Sequence, residues 1–488
     1  MATNSPPPPG IPEASRLSTQ AWQSDLLQLF HNAKDRFPDV VWERQPGDDP
    51  DSTEEIYGHK AIVYARAPPS FQARYFSFRP PPITSPTPYT PSPSPAPAQS
   101  SVSLTLTLDY AHNSRSPSPY RSSSPSPSTN QGSILRIPQQ KSPALFSNEL
   151  EYLYTGKGLG EAFEFLFDTS ESRDVADGEE NRIDKLRKDL VYMWRSRLYS
   201  DIRISLSALT WGKAAIAAES SAPGEPLTVT LPSPPFTPAS LHFTLGYIYT
   251  GTLVFSHRTY DLDTAFAILR SADYLSLPQL YNETQARVVY EMLHGLYHAF
   301  LEFDEYERIT NAKWGIGGCR CRQCARRVPR ILDFALSDDV ANNYLERGAR
   351  RALVGLFGEG WCNSDFAALP QKIRDSVVKG VSKRTTPTNA FSLLFAAQHA
   401  IKKLNAAIDA WADVSREMVL TAQKTIDECL VKESEMCFEQ PEWVEMLEGD
   451  GVGFEDGERI GWVMESLKRG MSERYAATVY QARPSISS

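Results

Sequence analysis

Apolar positions recur at helical spacing through the second half of the chain. Phe266, Leu269, Ala272 and Leu275, then Val288, Val289, Met292, Leu293, Leu296 and Phe300, fall at intervals of three and four. That period predicts helices with one buried face running from Leu262 to about residue 300. Residues 304 to about 425 read as further helices with polar joints, including Ala390 to Leu404 (AFSLLFAAQHAIKKL). The last stretch, 426–488, turns acidic and then polar, and reads as a frayed helix and tail. Residues 1–20, rich in Pro, Ser and Ala, have little to bury and read as a disordered tail, whereas 21–80 are mixed and aromatic-rich, the mark of a folded segment. From Arg79 to Gln131 proline and serine dominate, and such a composition cannot offset the entropy of ordering. Within it, Val102 to Leu108 (VSLTLTL) alternates with period two and predicts a short strand.

An internal repeat organises the middle of the chain. Residues 133–159 read SILRIPQQKSPALFSNELEYLYTGKGL, and residues 227–253 read LTVTLPSPPFTPASLHFTLGYIYTGTL. Pro143 matches Pro238, Leu150 matches Leu245, Tyr152 matches Tyr247, and Tyr154-Thr155-Gly156 matches Tyr249-Thr250-Gly251. Each copy predicts a β-branched strand, a proline-marked turn and a helix that opens at the proline and ends at the glycine. The first helix is expected to bury Leu145, Phe146, Leu150, Leu153 and Tyr154, and the second Leu241, Leu245, Ile248 and Tyr249.

Strand, proline turn and helix ending in Tyr-x-Tyr-Thr-Gly resemble the second half of a BTB/POZ domain. The family's first half is similar to Asp39-Val40-Val41-Trp42-Glu43, then Gly58-His59-Lys60-Ala61-Ile62-Val63, then Arg66, Pro69-Ser70-Phe71 and Phe76. Leu198 to Leu206 resembles the same opening strand again, but only SALTWGKAAIAAESSAPGEP separates it from the next strand. Lys213-Ala214-Ala215-Ile216 is at best a remnant of the family's helical hairpin there. Ala265 to Leu277 and the following helix resemble the closing helices and helical extension.

The resemblance implies an α/β (α+β) fold, a small sheet capped by helices in two copies and followed by an α-helical region. The implied organisation is a first module over 21–170 interrupted by a disordered 79–131, a shortened second module over 197–300, a helical region over 304–425 and a C-terminal segment over 426–488. A tandem pair with a split first member also resembles the Rho-related BTB proteins, although no Gly-x-x-x-x-Gly-Lys-Ser/Thr loop is present to imply a GTPase. BTB modules typically self-associate and recruit partners. The implied function is therefore a non-catalytic scaffold, a substrate adaptor of a cullin-based ubiquitin ligase, with a cullin-3-type scaffold, unknown clients and a second copy of itself as partners. Leu150, Tyr154, Tyr249 and Tyr274 are expected as core determinants.

Charge and cysteine usage narrow the classes. A net charge of -9 argues against a chain that coats nucleic acid as a whole. Six cysteines, none before Cys319, fit thiols in a reducing compartment. The opening Met1-Ala2-Thr3-Asn4 and the polyproline after it do not form a signal segment, and no apolar run reaches spanning length. Cytoplasm or nucleus is the expected location, with no membrane partner.

One constellation carries candidate chemistry: Cys319-Arg320-Cys321-Arg322-Gln323-Cys324-Ala325-Arg326-Arg327. Three thiols within six residues suit three ligands of a tetrahedral zinc, and nearby arginines favour thiolates. The fourth ligand is missing locally, Cys362 being the nearest cysteine, and the paired Cys-x-x-Cys pattern is absent. The alternative is a turn built on Gly315, Gly317 and Gly318 that enters a basic helix with unligated thiols. No metal ligand, cofactor site or catalytic residue is therefore assigned, and His59 reads as a structural residue at a helix start. The same arginines, with Arg330, support the alternative of a chromatin- or DNA-associated regulator. The insertion's Ser-Pro pairs, among them Ser85-Pro86, Ser116-Pro117 and Ser118-Pro119, suit proline-directed phosphorylation or a passive linker equally.

Overall fold

The computed structural model describes residues 8–44, 54–67, 134–139, 142–158, 178–196, 202–207, 227–311, 313–448 and 453–472, with residues 72, 200, 218–219, 474–476 and 479. The expected strand over 102–108, the interrupting segment 79–131, its Ser-Pro pairs and Lys213 to Ile216 lie outside the described residues. The class is mixed α+β, dominated by helices, with two three-stranded sheets among the described residues. The chain divides into two compact units, residues 22–232 and residues 1–21 with 233–488.

In the unit of residues 22–232, strand β1 (Val40–Arg44) pairs antiparallel with β2 (Glu55–Gly58). Helix α2 (Lys60–Arg66) follows, and β3 (Leu135–Gln139) lies parallel to the other side of β1, Trp42 opposite Ile137. Helix α3 (Pro143–Thr155) begins on its proline, where the missing N–H costs no intrahelical bond. It ends at Gly156, whose φ of 68° lets its N–H reach the Tyr152 carbonyl at 2.8 Å. Phe146, Leu150, Leu153 and Tyr154, spaced four, three and one apart, form the buried stripe against Val40, Trp42, Ile62 and Val63. Leu145 is a correction to the expected core: it is 44% exposed, because a residue adjacent to Phe146 is turned about 100° away from that stripe.

Tyr154 is fully buried, and burial pushes its phenol pKa up. Its hydroxyl accepts from the His59 backbone N–H and lies against His59 Nδ1, both at 2.8 Å. His59 Nε2 stands 2.6 Å from the Arg36 carbonyl, so both ring nitrogens are occupied in structure. Tyr154→Phe leaves the His59 amide short of an acceptor, and urea unfolding should show a loss of about 1–3 kcal/mol.

A second sheet in this unit sets β4 (Ile202–Ser207) parallel to β6 (Leu227–Pro232), Ile204 opposite Val229, with the two-residue β5 (Ala218–Glu219) antiparallel to β6. Both sheets thus pair the strand before the proline turn in parallel with an earlier strand. Their third strands differ in place: β2 adds to the earlier strand, whereas β5 adds to the later one. Helix α4 (Gly178–Ser196) places Asp189 on Arg66 at 2.5 Å.

In the other unit, α5 (Pro238–Thr250) repeats the grammar of α3. Thr237 and Ser240 form a reciprocal cap, and Gly251 ends the helix at φ 64°. Its buried face is Phe243 and Tyr247, clustered with Leu253, Ile268, Ala272 and Leu280. Here too the expected core needs correction, since Ile248 is 43% exposed and Leu241, Leu245 and Tyr249 are only half-buried. Helices α6 (Leu262–Tyr274) and α7 (Pro278–Arg287) follow as predicted, but the helix expected through residue 300 does not continue. Val288–Met292 forms a π-helical turn, and residues 294–298 all have positive φ.

The helical region then comprises α8 (Phe303–Thr310), α9 (Arg322–Leu336), α10 (Asn343–Gly355), α11 (Ser364–Ala368), α12 (Gln371–Arg384), α13 (Ala390–Asn405) and α14 (Trp411–Lys432). It closes with α15 (Ser434–Phe438), α16 (Pro441–Glu448) and α17 (Phe454–Gly470). One core joins α6 to α17, with Trp361 fully buried between Phe357 and Phe366. The C-terminal helix is packed rather than frayed: Val463 is buried, and Arg469 grips the buried Asp427 at 2.9 Å. Residues 11–20, expected as tail, are the first turns of helix α1 (Ile11–His31), which buries Ala14 and Ser18. Their low hydrophobicity hid them, because two small side chains suffice for close helix packing. Among the described residues, no helix is long and apolar enough to cross a membrane.

Candidate metal centre

The interruption between α7 and α8 positions the functional residues. A run of left-handed residues is costly for L-amino acids, so the surroundings must impose it. His294, Leu296, Tyr297 and His298 have φ of 49°, 36°, 48° and 53°, with Gly295 at 96°. Leu296 and Tyr297 are buried. Tyr297 lies where a Cβ on Gly318 or Gly355 would come within 2.5 and 2.3 Å of its ring, so both positions require glycine. Three arginines collect the carbonyls that the broken helix leaves over. Arg327 donates to Met292 at 2.8 Å, Arg347 to Ala299 at 3.1 Å, and Arg351 to His298 and Leu301 at 3.0 and 2.9 Å.

This turn aims His294 at the cysteine segment. Cys321 is the N-cap of α9, its sulfur accepting from the Cys324 N–H at 3.4 Å, so Cys321 and Cys324 share the first turn. Gly315, at φ 80°, and the close-packed Gly317 and Gly318 bend the preceding loop and bring Cys319 alongside. His294 Nδ1 lies 3.2 Å from Cys319 Sγ, 3.7 Å from Cys321 Sγ and 3.6 Å from Cys324 Sγ. All four ligand atoms fall within 4.8 Å of one another.

Zinc–sulfur bonds of about 2.3 Å and zinc–nitrogen bonds of about 2.0 Å, set tetrahedrally, require N···S separations of roughly 3.5 Å. The observed separations scatter around that value. Four protein donors complete the coordination and leave no position for water or substrate, as in structural rather than catalytic zinc sites. Cys324 is buried, Cys319 and Cys321 are partly covered, and His294 is exposed.

The thiols are electrostatically unequal. The Cys324 backbone N–H, followed by hydrogen bonds with the neighbouring thiols, holds Cys321 down to about 6, in the thiolate range at neutral pH. Burial first, and then the adjacent Cys321, pushes Cys324 up. A metal ion would take the place of the protons these sulfurs otherwise share.

The nearest cysteine in sequence, Cys362, does not supply the fourth ligand. It is buried elsewhere, its thiol donating to the Gly358 carbonyl at 3.1 Å. His294 was missed because it sits within an apolar run whose helical period implied a buried face. Only the break at residues 293–298 turns it outward to the thiols. Several arginines of the segment are committed to packing. Arg320 stacks 4.4 Å over Trp314, Arg327 caps Met292, and Arg330 pairs with Asp263. Arg322 and Arg326 remain exposed.

Of the other singled-out residues, Leu150 and Tyr154 lie in the core of the unit of residues 22–232, whereas Tyr249 and Tyr274, expected in a core, are only half-buried, Tyr274 meeting Phe236 edge-on at 5.5 Å. The chain matches no family model, no curated protein and no solved structure.

Proposed function

We propose that this chain is a non-catalytic protein-interaction scaffold of the BTB/POZ type, a substrate adaptor of a cullin-based ubiquitin ligase. Its helical region would be tied by a structural zinc on His294, Cys319, Cys321 and Cys324. The observation that carries the reading is the twice-used unit of parallel strand, proline-initiated helix and left-handed glycine, over 135–156 and 227–251. In the first copy it is joined to a hairpin and a short helix, β2 and α2, in the order the resemblance implies.

A four-ligand site supports a role for the metal in holding a surface together, not in turning over a substrate. The engagement of Arg320, Arg327 and Arg330 leaves less free charge for the DNA-associated alternative. Affinity purification of the tagged full chain, scored by mass spectrometry, tests the adaptor reading. A cullin recovered in stoichiometric amount is the expected result. Its absence, with self-association intact by light scattering, would overturn the ligase role and leave the scaffold.

A further inference from the structure

On the same helical unit a cavity of about 620 Å³ opens between α8, the loop before the cysteines, α10 and α12. Its volume is in the range of small-molecule sites and well above that of a bare ion. One wall is apolar, formed by Tyr306, Trp314, Val354 and the backbone of Gly355 and Gly380. Tyr306 and Trp314 are fixed in place, Trp314 Nε1 donating to the Val354 carbonyl at 2.8 Å and Arg351 stacking 4.3 Å over Tyr306.

The remaining walls carry an excess of positive charge. Six cationic side chains line the cavity against two carboxylates, Glu307 and Glu346. Arg384 pairs with Glu307, Arg350 with Glu346 at 2.8 Å, and Arg347 with Glu302, outside the lining, at 2.6 Å. Lys313, Lys383 and Arg351 form no ion pair with a carboxylate among the described residues, although Glu302 and Glu307 act on Arg351 from farther away. Arg351 donates only to backbone carbonyls, and the Nη2 atoms of Arg347 and Arg351 are buried without any acceptor. Burial, and then the adjacent Arg347, presses the Arg351 pKa down by more than nearby Tyr306, Glu302 and Glu307 raise it.

We propose that this cavity binds a small organic phosphate, its phosphate facing Lys313, Lys383 and Arg351 and its apolar body lying on the Tyr306–Trp314 wall. Three cations in no such pair match a group carrying nearly two negative charges and three acceptor oxygens better than a single carboxylate. The aromatic wall gives an unsaturated or ring-bearing body a surface that inorganic phosphate cannot use. The site is independent of the scaffold reading, since neither repeat contributes a lining residue.

Isothermal titration of the full, zinc-supplemented chain with phenyl phosphate tests the assignment, with inorganic phosphate and phenol as parallel probes. Phenyl phosphate should bind saturably at one site, more tightly than either probe alone. Lys313→Gln with Lys383→Gln should weaken it at least about tenfold, the scale of losing charge-assisted contacts. Both side chains are exposed and form no ion pair among the described residues, so the unfolding midpoint and zinc content of the double variant should stay unchanged. Three results would overturn the proposal: no saturable binding of phenyl phosphate, an affinity unchanged in the double variant, or equal affinity for phenyl and inorganic phosphate.

Discussion

Purified from metal-replete medium, the protein is expected to carry one zinc ion per chain by elemental analysis, and Cys321→Ser with Cys324→Ser should abolish it. Structural zinc is worth about 10–16 kcal/mol of apparent binding free energy at neutral pH when all four donors act. Shared over four ligands, one donor is worth roughly 3 kcal/mol, so His294→Ala alone should weaken zinc at least about 100-fold. The serine pair, lacking two thiolates, should bind no zinc at micromolar concentrations. The structural consequence is local before it is global. Without the metal, the left-handed turn at 294–298 loses one of its restraints, and hydrogen exchange should rise across 290–325 while α13 and α14 stay protected.

The pH dependence of zinc binding follows from the thiols. The ion binds thiolates, and Cys324, pushed up by burial, must give up a proton throughout the neutral range. Each thiol still protonated at a given pH gives up its proton to the ion, so affinity should fall as the pH is lowered. Cys321, held down to about 6, takes up a proton below that value and adds to the loss. The decline should therefore steepen below about pH 6. A chain that retains no zinc at neutral pH, or whose retention is insensitive to His294→Ala, would count against the site.

The second large effect lies in the unit of residues 22–232. Trp42 is fully buried at the centre of its sheet, its ring meeting Phe146 at 5.4 Å. Trp42→Ala should cost about 3–5 kcal/mol and Leu150→Ala about 2–5 kcal/mol, since both leave cavities that rigid neighbours cannot fill. Leu145→Ala, on the same helix but on its exposed side, should change stability by no more than about 0.5 kcal/mol. Denaturant unfolding of the three variants reads the rotation of α3 directly. Comparable losses from Leu145 and Leu150 would mean that the helix presents a different face.

Much of this organisation was legible in the sequence because its causes are local. Pro143 and Pro238 can open a helix and Gly156 and Gly251 can end one through the geometry of a few adjacent residues. The helix over 390–404 followed from its apolar spacing, and the three thiols from Cys319 to Cys324 stood out because they fall within six residues. Finer decisions within those elements were not legible. The period located α3 and α5, yet which stripe faces inward depends on what covers it, and Leu145 and Ile248 fell on the wrong side.

His294 marks the limit. Val288, Val289, Leu293, Leu296 and Phe300 are indeed buried, as their pattern implied, with Met292 half-buried, but beyond Met292 they do not lie on a helix. Tyr297, wedged against Gly318 and Gly355, and the carbonyls held by Arg327, Arg347 and Arg351 impose a left-handed turn that no local preference favours. The sequence alone thus located most of the elements and their proline and glycine ends, and grouped three thiols without assigning them to a metal, all through features set within a turn or two of chain. The tertiary structure alone placed His294 beside the thiols and formed the cationic cavity, because contacts between residues far apart in the chain, not local propensity, stabilise the backbone that brings them together.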